Sequence, residues 1–321
     1  MYKQTHAVIP AQRDPLSSSI NSVASSAISD SYVSVNMSHP VFTNDSAAHR
    51  PYISDLRDAV GSKISGALSD GDCVRFLRAR AGSIDKASEM VLKWYEWRHT
   101  LMDPLPLHNI PLSPLTLLAT PSYLDAHPHG NLFPVAHQGF SKEGYPIYWE
   151  QTGRVQSYFP TVLQHFTVDE LVQYHVLSNN IFSSRYKYAS EKFGKDIQKC
   201  IVVNDMSHVS ISLDMESIRY IRQILDIDQN YFPERLHKLI IINCPWYFPA
   251  LYAIFKPFID ARTSEKFMIL GKDFLPSVLE HIDADQIPVE YGGTMQVSWD
   301  MNWDESTGAS KEQLDDYIVE L

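Results

Sequence analysis

A chain of 321 residues, 44% of them hydrophobic, can bury a sizeable core in one large domain or two small ones, which excludes a wholly disordered protein. Its formal net charge of -11, without a dense run of Lys and Arg, excludes nucleic acid as the expected partner and argues against standing adhesion to anionic membranes, while leaving brief docking open. Cys73, Cys200 and Cys244 make no CxxC pair and have no His at zinc-finger spacing, and no apolar stretch has bilayer-spanning length or the place of a signal-peptide core, so a reducing, cytosolic address without structural zinc is expected.

In chain order, residues 1–50 read as a disordered, phosphorylatable tail: ten of the twenty-two residues from Ser17 to Ser38 are serine, without periodicity. A transit peptide is the rival reading, and Lys3 and Arg13 are too few bases to favour it. Order is expected from about Pro51, beginning with a small helical subdomain. Asp72 to Ala81, with Val74, Phe76 and Leu77 apolar, predicts one helix. From Ser83, which is placed to cap, Ile84, Ala87, Met90, Val91, Trp94 and Trp97 keep one apolar face at helical spacing.

From Gly144 the period shortens. Pro146 to Glu150 is strand-like, and Thr167-Val168-Asp169-Glu170 is a capping box opening a helix that runs past Leu177. Three short apolar runs come next, Cys200 to Val203, Leu239 to Ile242 and Phe267 to Leu270, as expected of strands buried on both faces of a parallel sheet. Helical patterns at about Ile218 to Leu225 and Tyr247 to Phe258 separate them, so the reading is an α/β fold with a βαβαβ core.

The second of those helices lacks a polar face. Trp246, Tyr247, Phe248, Leu251, Tyr252, Ile254, Phe255 and Phe258 surround it, Lys256 is its one charge, and Pro245, Pro249 and Pro257 punctuate it. Two readings stay open: a helix buried by further protein, and a mobile lid over an apolar cavity that can meet lipid.

No GxSxG, GxGxxG, P-loop or HExxH motif is present. His127 and His129 sit in a Pro-, Asp- and Gly-bearing loop without a third ligand, and His165, His175 and His237 fall on different elements, so neither a metal site nor a triad is read from them. Cys200 and Cys244, at a strand start and a strand end, read as small buried hydrophobes. Arg75, Arg78 and Arg80 recur at intervals of two to three in an apolar helix, so at least one must face the fold. On one turn Thr263 and Lys266 share a face, where a hydroxyl and an ammonium can meet the same phosphate. The alternative is an ordinary turn capped by Asp260 with Lys266 paired to Glu234, and spacing alone prefers it.

These segments resemble the CRAL-TRIO lipid-binding family, in its branch of yeast-type phosphatidylinositol transfer proteins. The resemblance is carried by Asp72-Cys73-Val74-Arg75-Phe76-Leu77-Arg78-Ala79-Arg80, Trp94 with Trp97-Arg98, Gly144 to Tyr148, Asn230 to Arg235, Ile241-Ile242-Asn243, Phe255 to Asp260 and Ile287 to Gly293. It covers about Pro51 to Gly293 and implies an N-terminal helical subdomain (51–110) and a lipid-binding domain (111–293), while the disordered tail (1–50) and a C-terminal extension (294–321), with Trp299 and Trp303, match nothing in it. In the lipid-binding domain a mostly parallel β-sheet floor, flanking helices and a gate helix enclose an apolar lipid pocket. It further implies that Arg80, Thr263 and Lys266 meet an inositol-phosphate headgroup, with Glu234 positioning the lysine. Trp246, Phe248, Leu251, Tyr252, Phe255 and Phe258 would form the gate and line the pocket, over a floor containing Tyr148, Cys200 and Val202.

Two departures matter. Cys200 and Val202 stand where relatives that also carry phosphatidylcholine have hydroxyl residues, which puts the choline lipid in doubt, because a buried phosphate needs donors. Ala81 stands where a base is often found after Arg80. The function implied is non-enzymatic binding and transfer of a phospholipid, phosphatidylinositol first, by a cytoplasmic monomer that docks transiently on membranes. It needs no cofactor or metal, only the bound lipid. A carrier of a neutral ligand such as a sterol, tocopherol or retinoid, a lipid-active α/β enzyme, and a lipid sensor recruiting a kinase are the alternatives.

Overall fold

The structure, a computed structural model, describes residues 49–102, 134–164, 166–297 and 299. The Ser-rich tail, His127, His129, His165, Trp303 and the expected boundary at 110/111 lie outside them.

Helices come first. α1 (Arg50–Val60) turns Ile53, Leu56 and Val60 inward, and Gly61, at φ +81°, ends it in a conformation that a side chain would resist. α2 (Ser62–Ser65) is a single turn. α3 (Asp70–Ala79) starts two residues before the apolar pattern because Ser69 and Asp72 cap it reciprocally: Asp72 N donates to Ser69 Oγ at 3.1 Å and Ser69 N to Asp72 Oδ2 at 3.0 Å. The chain then reverses through Ala81 and Gly82, both at positive φ, into α4 (Ile84–Met102). Leu56, Leu77, Ala87 and Val91, none with exposed surface, join α1, α3 and α4. Each large side chain so buried contributes roughly 1.5–3 kcal/mol. Trp97 stacks on Tyr231 at 4.2 Å and Arg75 donates to Gln198 at 3.2 Å, which tie these helices to later parts of the chain.

Five strands make one sheet whose spatial order equals its chain order: β1 (Val135–Ala136), β2 (Ile147–Glu150), β3 (Cys200–Asp205), β4 (Leu236–Ile242) and β5 (Phe267–Ile269). β1 pairs antiparallel to β2, and all other neighbours are parallel. α5 (Thr152–Val162) and α6 (Val168–Phe193) lead from β2 to β3, and α7 (Met215–Asn230) from β3 to β4. α8 (Phe248–Phe255) and the single turn α9 (Ala261–Ser264) lead to β5, and α10 (Leu275–Leu279) lies beyond it. The three apolar runs of the sequence are β3, β4 and β5. The aromatic segment forms a shorter helix than expected. Trp246 precedes α8, and Lys256–Phe258 tighten into a 3₁₀ turn, since Pro257 has no N–H to continue the ladder.

Register decides which side chains share a face. Tyr148, Val202, Leu239 and Phe267 stand in one row across β2 to β5, while Trp149, Val203, Ile240 and Met268 form the next row on the opposite face. That second face is packed solid: Ile147, Trp149, Ile201, Val203, Ile240 and Ile242 meet Phe274, Val278, Ile282, Ile287 and Tyr291. The Trp149 indole N–H is satisfied by the Gln138 carbonyl at 3.1 Å. On the first face α6, α7 and α8 stand away from the strands. The backbone comes closest at Gly153, the start of α5, where a Cβ would lie 1.9 Å from Ser207 O, so only glycine fits.

Candidate functional site

The space between the first face of the sheet and α5 to α8 is a cavity of about 860 Å³, near the upper end of the range for small-molecule sites. Its floor is Tyr148, Glu150, Cys200, Val202, Asn204, Leu239, Ile241 and Phe267, the alternate residues of four strands. Phe182 and Tyr186 of α6, Tyr220, Ile221 and Ile224 of α7, and Val155 and Phe159 of α5 make the walls. Phe248, Leu251, Tyr252 and Phe255 turn one face of α8 onto it. Phe248 and Leu251 are buried, whereas Ile254 on the outer face is 40% exposed.

Of the residues singled out in the sequence, Arg80, Tyr148, Cys200, Val202, Glu234, Phe248, Leu251, Tyr252, Phe255, Thr263 and Lys266 all line this cavity. Trp246 and Phe258 do not. Trp246, ahead of the helix, is 81% exposed and touches Tyr247 edge-on. Phe258, on the 3₁₀ turn, lies under the Arg222 guanidinium at 4.2 Å from its ring centre.

The mouth lies where β4 and β5 begin. Glu234 comes after Pro233 with a left-handed backbone (φ +59°), and its side chain is 7% exposed. Its carboxylate receives Arg262 Nη1 at 3.3 Å, Lys266 Nζ at 3.5 Å and Lys199 Nζ at 3.7 Å. Burial opposes its ionisation, but the charges of Lys266, Lys199 and Arg262 outweigh this and hold it below the usual carboxylate range. Burial, then the neighbouring Arg78 guanidinium, push Lys199 down. Asp260 caps α9, accepting Thr263 N at 2.8 Å and Thr263 Oγ1 at 2.7 Å. The ordinary capped turn is therefore present, and its lysine and hydroxyl also face the cavity.

The three arginines of α3 and its end divide their work. Arg75 pairs with Asp72 and reaches Gln198, Arg80 lines the cavity while donating to the Ala79 carbonyl at 3.1 Å, and the Arg78 carbonyl accepts from Arg262. Arg262 thus arrives from α9 beside the strand-free turn where Ala81 supplies no base. Sequence patterns single out neither Arg262 nor Lys199; both adjoin recognisable turns, but neither has a pattern of its own.

A second polar group is illegible in the sequence because three elements assemble it. Glu150 of β2, His175 and Asn179 of α6 and Asp228 of α7 all face the cavity. His175 Nε2 lies 2.7 Å from Asp228 Oδ1, Asn179 donates to the same oxygen at 3.0 Å, and Glu150 accepts from Thr152 Oγ1 at 2.8 Å and Tyr148 OH at 3.3 Å. Burial raises the Glu150 carboxyl against its two hydrogen bonds. For His175 burial disfavours the charge, and Asp228 overrides it, so its pKa is raised. Cys73 and Cys200 are buried thiols that burial pushes up to about 11, and Cys244 is half-buried. Among the described residues no group of three or more His, Cys, Asp or Glu is placed to hold a metal, and no helix is long and apolar enough to cross a membrane.

The family model of the CRAL/TRIO domain matches residues 132–293, the stretch that holds the sheet, the whole of α8 and all of the cavity lining except Ala79 and Arg80. The chain belongs to the CRAL/TRIO family. Within that family it is similar to the Sec14 cytosolic factor of Schizosaccharomyces pombe, 30% identical over 71% of this chain and 76% of that protein. It is also 27% identical to the SEC14 cytosolic factor of Eremothecium gossypii over 79% of each. A protein of Arabidopsis thaliana named phosphatidylinositol/phosphatidylcholine transfer protein SFH7 is 30% identical over 68% of this chain and 38% of its own length. A solved structure titled "Crystal structure of Sfh5" overlays 65% of each chain at 20% identity with a TM-score of 0.43. Outside the CRAL/TRIO match, α1 to α4 are helical, and Arg80, at the end of α3, lines the cavity.

Proposed function

We propose that this protein binds one phospholipid, phosphatidylinositol first, and carries it between membranes without changing it chemically. The observation that carries the reading is a largely apolar cavity of about 860 Å³ whose lining includes Arg80, Thr263 and Lys266. The names of its transfer-protein relatives support the same ligand class. A lipid leaving a bilayer exposes its acyl chains to water at about 0.8 kcal/mol per CH₂, so a carrier needs an enclosed apolar space and a cover that opens only where lipid replaces water. α8 is that cover, with its inner face on the cavity and Pro249, Ala250, Ala253 and Ile254 exposed outside. Exchange makes and breaks no bond, so the protein works without catalytic groups, cofactor or metal.

Arg80 and Lys266 hold the headgroup phosphate, Thr263 turns its hydroxyl from Asp260 to the ligand, and Glu234 keeps Lys266 in place. Buried cations are costly without an anion, which disfavours a neutral ligand. Residues 1–50 serve as a tail, 51–110 as the helical subdomain, 111–293 as the lipid-binding domain and 294–321 as an extension. The carrier acts as a cytoplasmic monomer that docks briefly on membranes, and a lipid kinase is the partner its cargo would suit. Mass spectrometry of lipid extracted from the purified protein, then vesicle-to-vesicle transfer, tests the reading. Lys266→Ala and Thr263→Asp should each abolish phosphatidylinositol transfer with the fold intact; normal transfer by both removes the headgroup assignment.

A further inference from the structure

The mouth holds more positive charge than one phosphodiester requires. Lys199, Arg262 and Lys266 share the single carboxylate of Glu234, at 3.7, 3.3 and 3.5 Å. Arg78 adds its charge to the same field, close enough to act on both Lys199 and Arg262, and Arg80 also lines the cavity. Glu234 acts on Lys199 and, with Asp196, on Arg78; Asp260 stands alongside with both oxygens occupied by Thr263. Among these named residues five cations meet three carboxylates, one of them committed to a helix cap. Lys199 and Lys266 are 18% and 17% exposed, so solvent does little to relieve their repulsion. Arg262 is 47% exposed and lines the cavity, which lets its guanidinium swing from Glu234 to a ligand.

A phosphodiester brings one negative charge, whereas a phosphomonoester brings roughly 1.5 to 2 at neutral pH and three acceptor oxygens. The planar fork of an arginine suits the second better than the first. We propose that this mouth selects an inositol phospholipid bearing a phosphomonoester on its ring in addition to the diester, and that Arg262, backed by Lys199, is the residue that selects it. The inference rests on the carrier reading above and names the ligand class within it. The diester stays with Arg80, Thr263 and Lys266, and the monoester takes Arg262 away from Glu234, leaving that carboxylate to the two lysines. The acyl chains occupy the cavity behind, so the ligand is a lipid and not a free inositol phosphate.

The full chain is equilibrated with vesicles of a net-neutral carrier lipid doped with equal small amounts of phosphatidylinositol and a phosphatidylinositol monophosphate, re-isolated, and its bound lipid counted. The expected ratio favours the monophosphate roughly tenfold, the worth of one charge-assisted contact. Arg262→Gln and Lys199→Gln should each bring the ratio several-fold closer to one, Arg262→Lys should restore part of it, and melting curves confirm that the variants fold. A soluble inositol bisphosphate should displace bound lipid only at far higher concentration. A wild-type ratio of one or below with phosphatidylinositol still loaded, or a ratio unmoved in both Gln variants, overturns the inference alone. Displacement by the soluble compound at the same concentration as the lipid reassigns the mouth to a free anion. Failure to load either lipid would sink the carrier reading and the inference together.

Discussion

Cys200 and Val202 put a thiol and an isopropyl group on the cavity floor next to Tyr148, and burial keeps the thiol protonated with a pKa pushed up to about 11. Neither side chain can satisfy a second phosphate placed over β3. The double change Cys200→Ser and Val202→Thr adds two hydroxyls there and should raise phosphatidylcholine loading several-fold over wild type, measured by lipid counting; unchanged loading would show that the floor does not set this preference. His175 gives a pH signature. Its pKa is raised in the folded protein above the usual value of about 6.5, so its stabilising charge on Asp228 is complete below that pH and is lost as pH climbs through the folded value. Thermal melts from pH 6 to 8 should show stability falling with pH in wild type and falling less in His175→Gln. The headgroup candidates Arg80, Glu234, Thr263 and Lys266 are legible because each sits in a motif with its neighbours. Arg262, Lys199 and the Glu150, His175 and Asp228 group are not, since only folding brings them together.

At the level of elements, strands are easier to read than their surroundings. β3 and β4 are apolar on both faces, one against a solid core and one over the cavity, so they appear as uninterrupted runs. β1, two residues long, carries no pattern to find. The aromatic segment is legible as a helix without a polar face, but its length is not: α8 takes only Phe248–Phe255, and Trp246 is left on the approach to it, 81% exposed. On the proposed carrier reading, an open tryptophan beside α8 is expected to enter the bilayer on docking, a transfer worth roughly 1.5–3 kcal/mol for a large apolar side chain. Trp246→Glu should therefore slow transfer between vesicles about tenfold or more while moving stability by no more than about 0.5 kcal/mol, the usual effect of a surface change. A loss of stability comparable to the loss of transfer would mean that Trp246 is structural.

Across the whole molecule, the sheet works as a partition. One face is filled by the segment from Phe274 to Tyr291, and the other floors a space that the crossover helices enclose without filling. The cations gather at the N-terminal ends of β3, β4 and β5, at Lys199, Glu234 with its partners, and Lys266, whereas ligands of open α/β sheets usually sit beyond the carboxyl ends. The helices α1 to α4 add Arg80 to the lining of the cavity.

Because β1 to β5 neighbour one another in the order in which the ribosome makes them, the sheet can extend from a single growing edge, with no strand threaded between two already paired. Until β5 emerges, that edge is β4, and the backbone of Leu239, Ile240 and Ile241 waits there for its partner. The nascent chain is then most exposed to misassociation through a run of five residues, Leu239 to Asn243, four apolar and one polar, which a chaperone would have to shield for the time needed to translate α8 and α9.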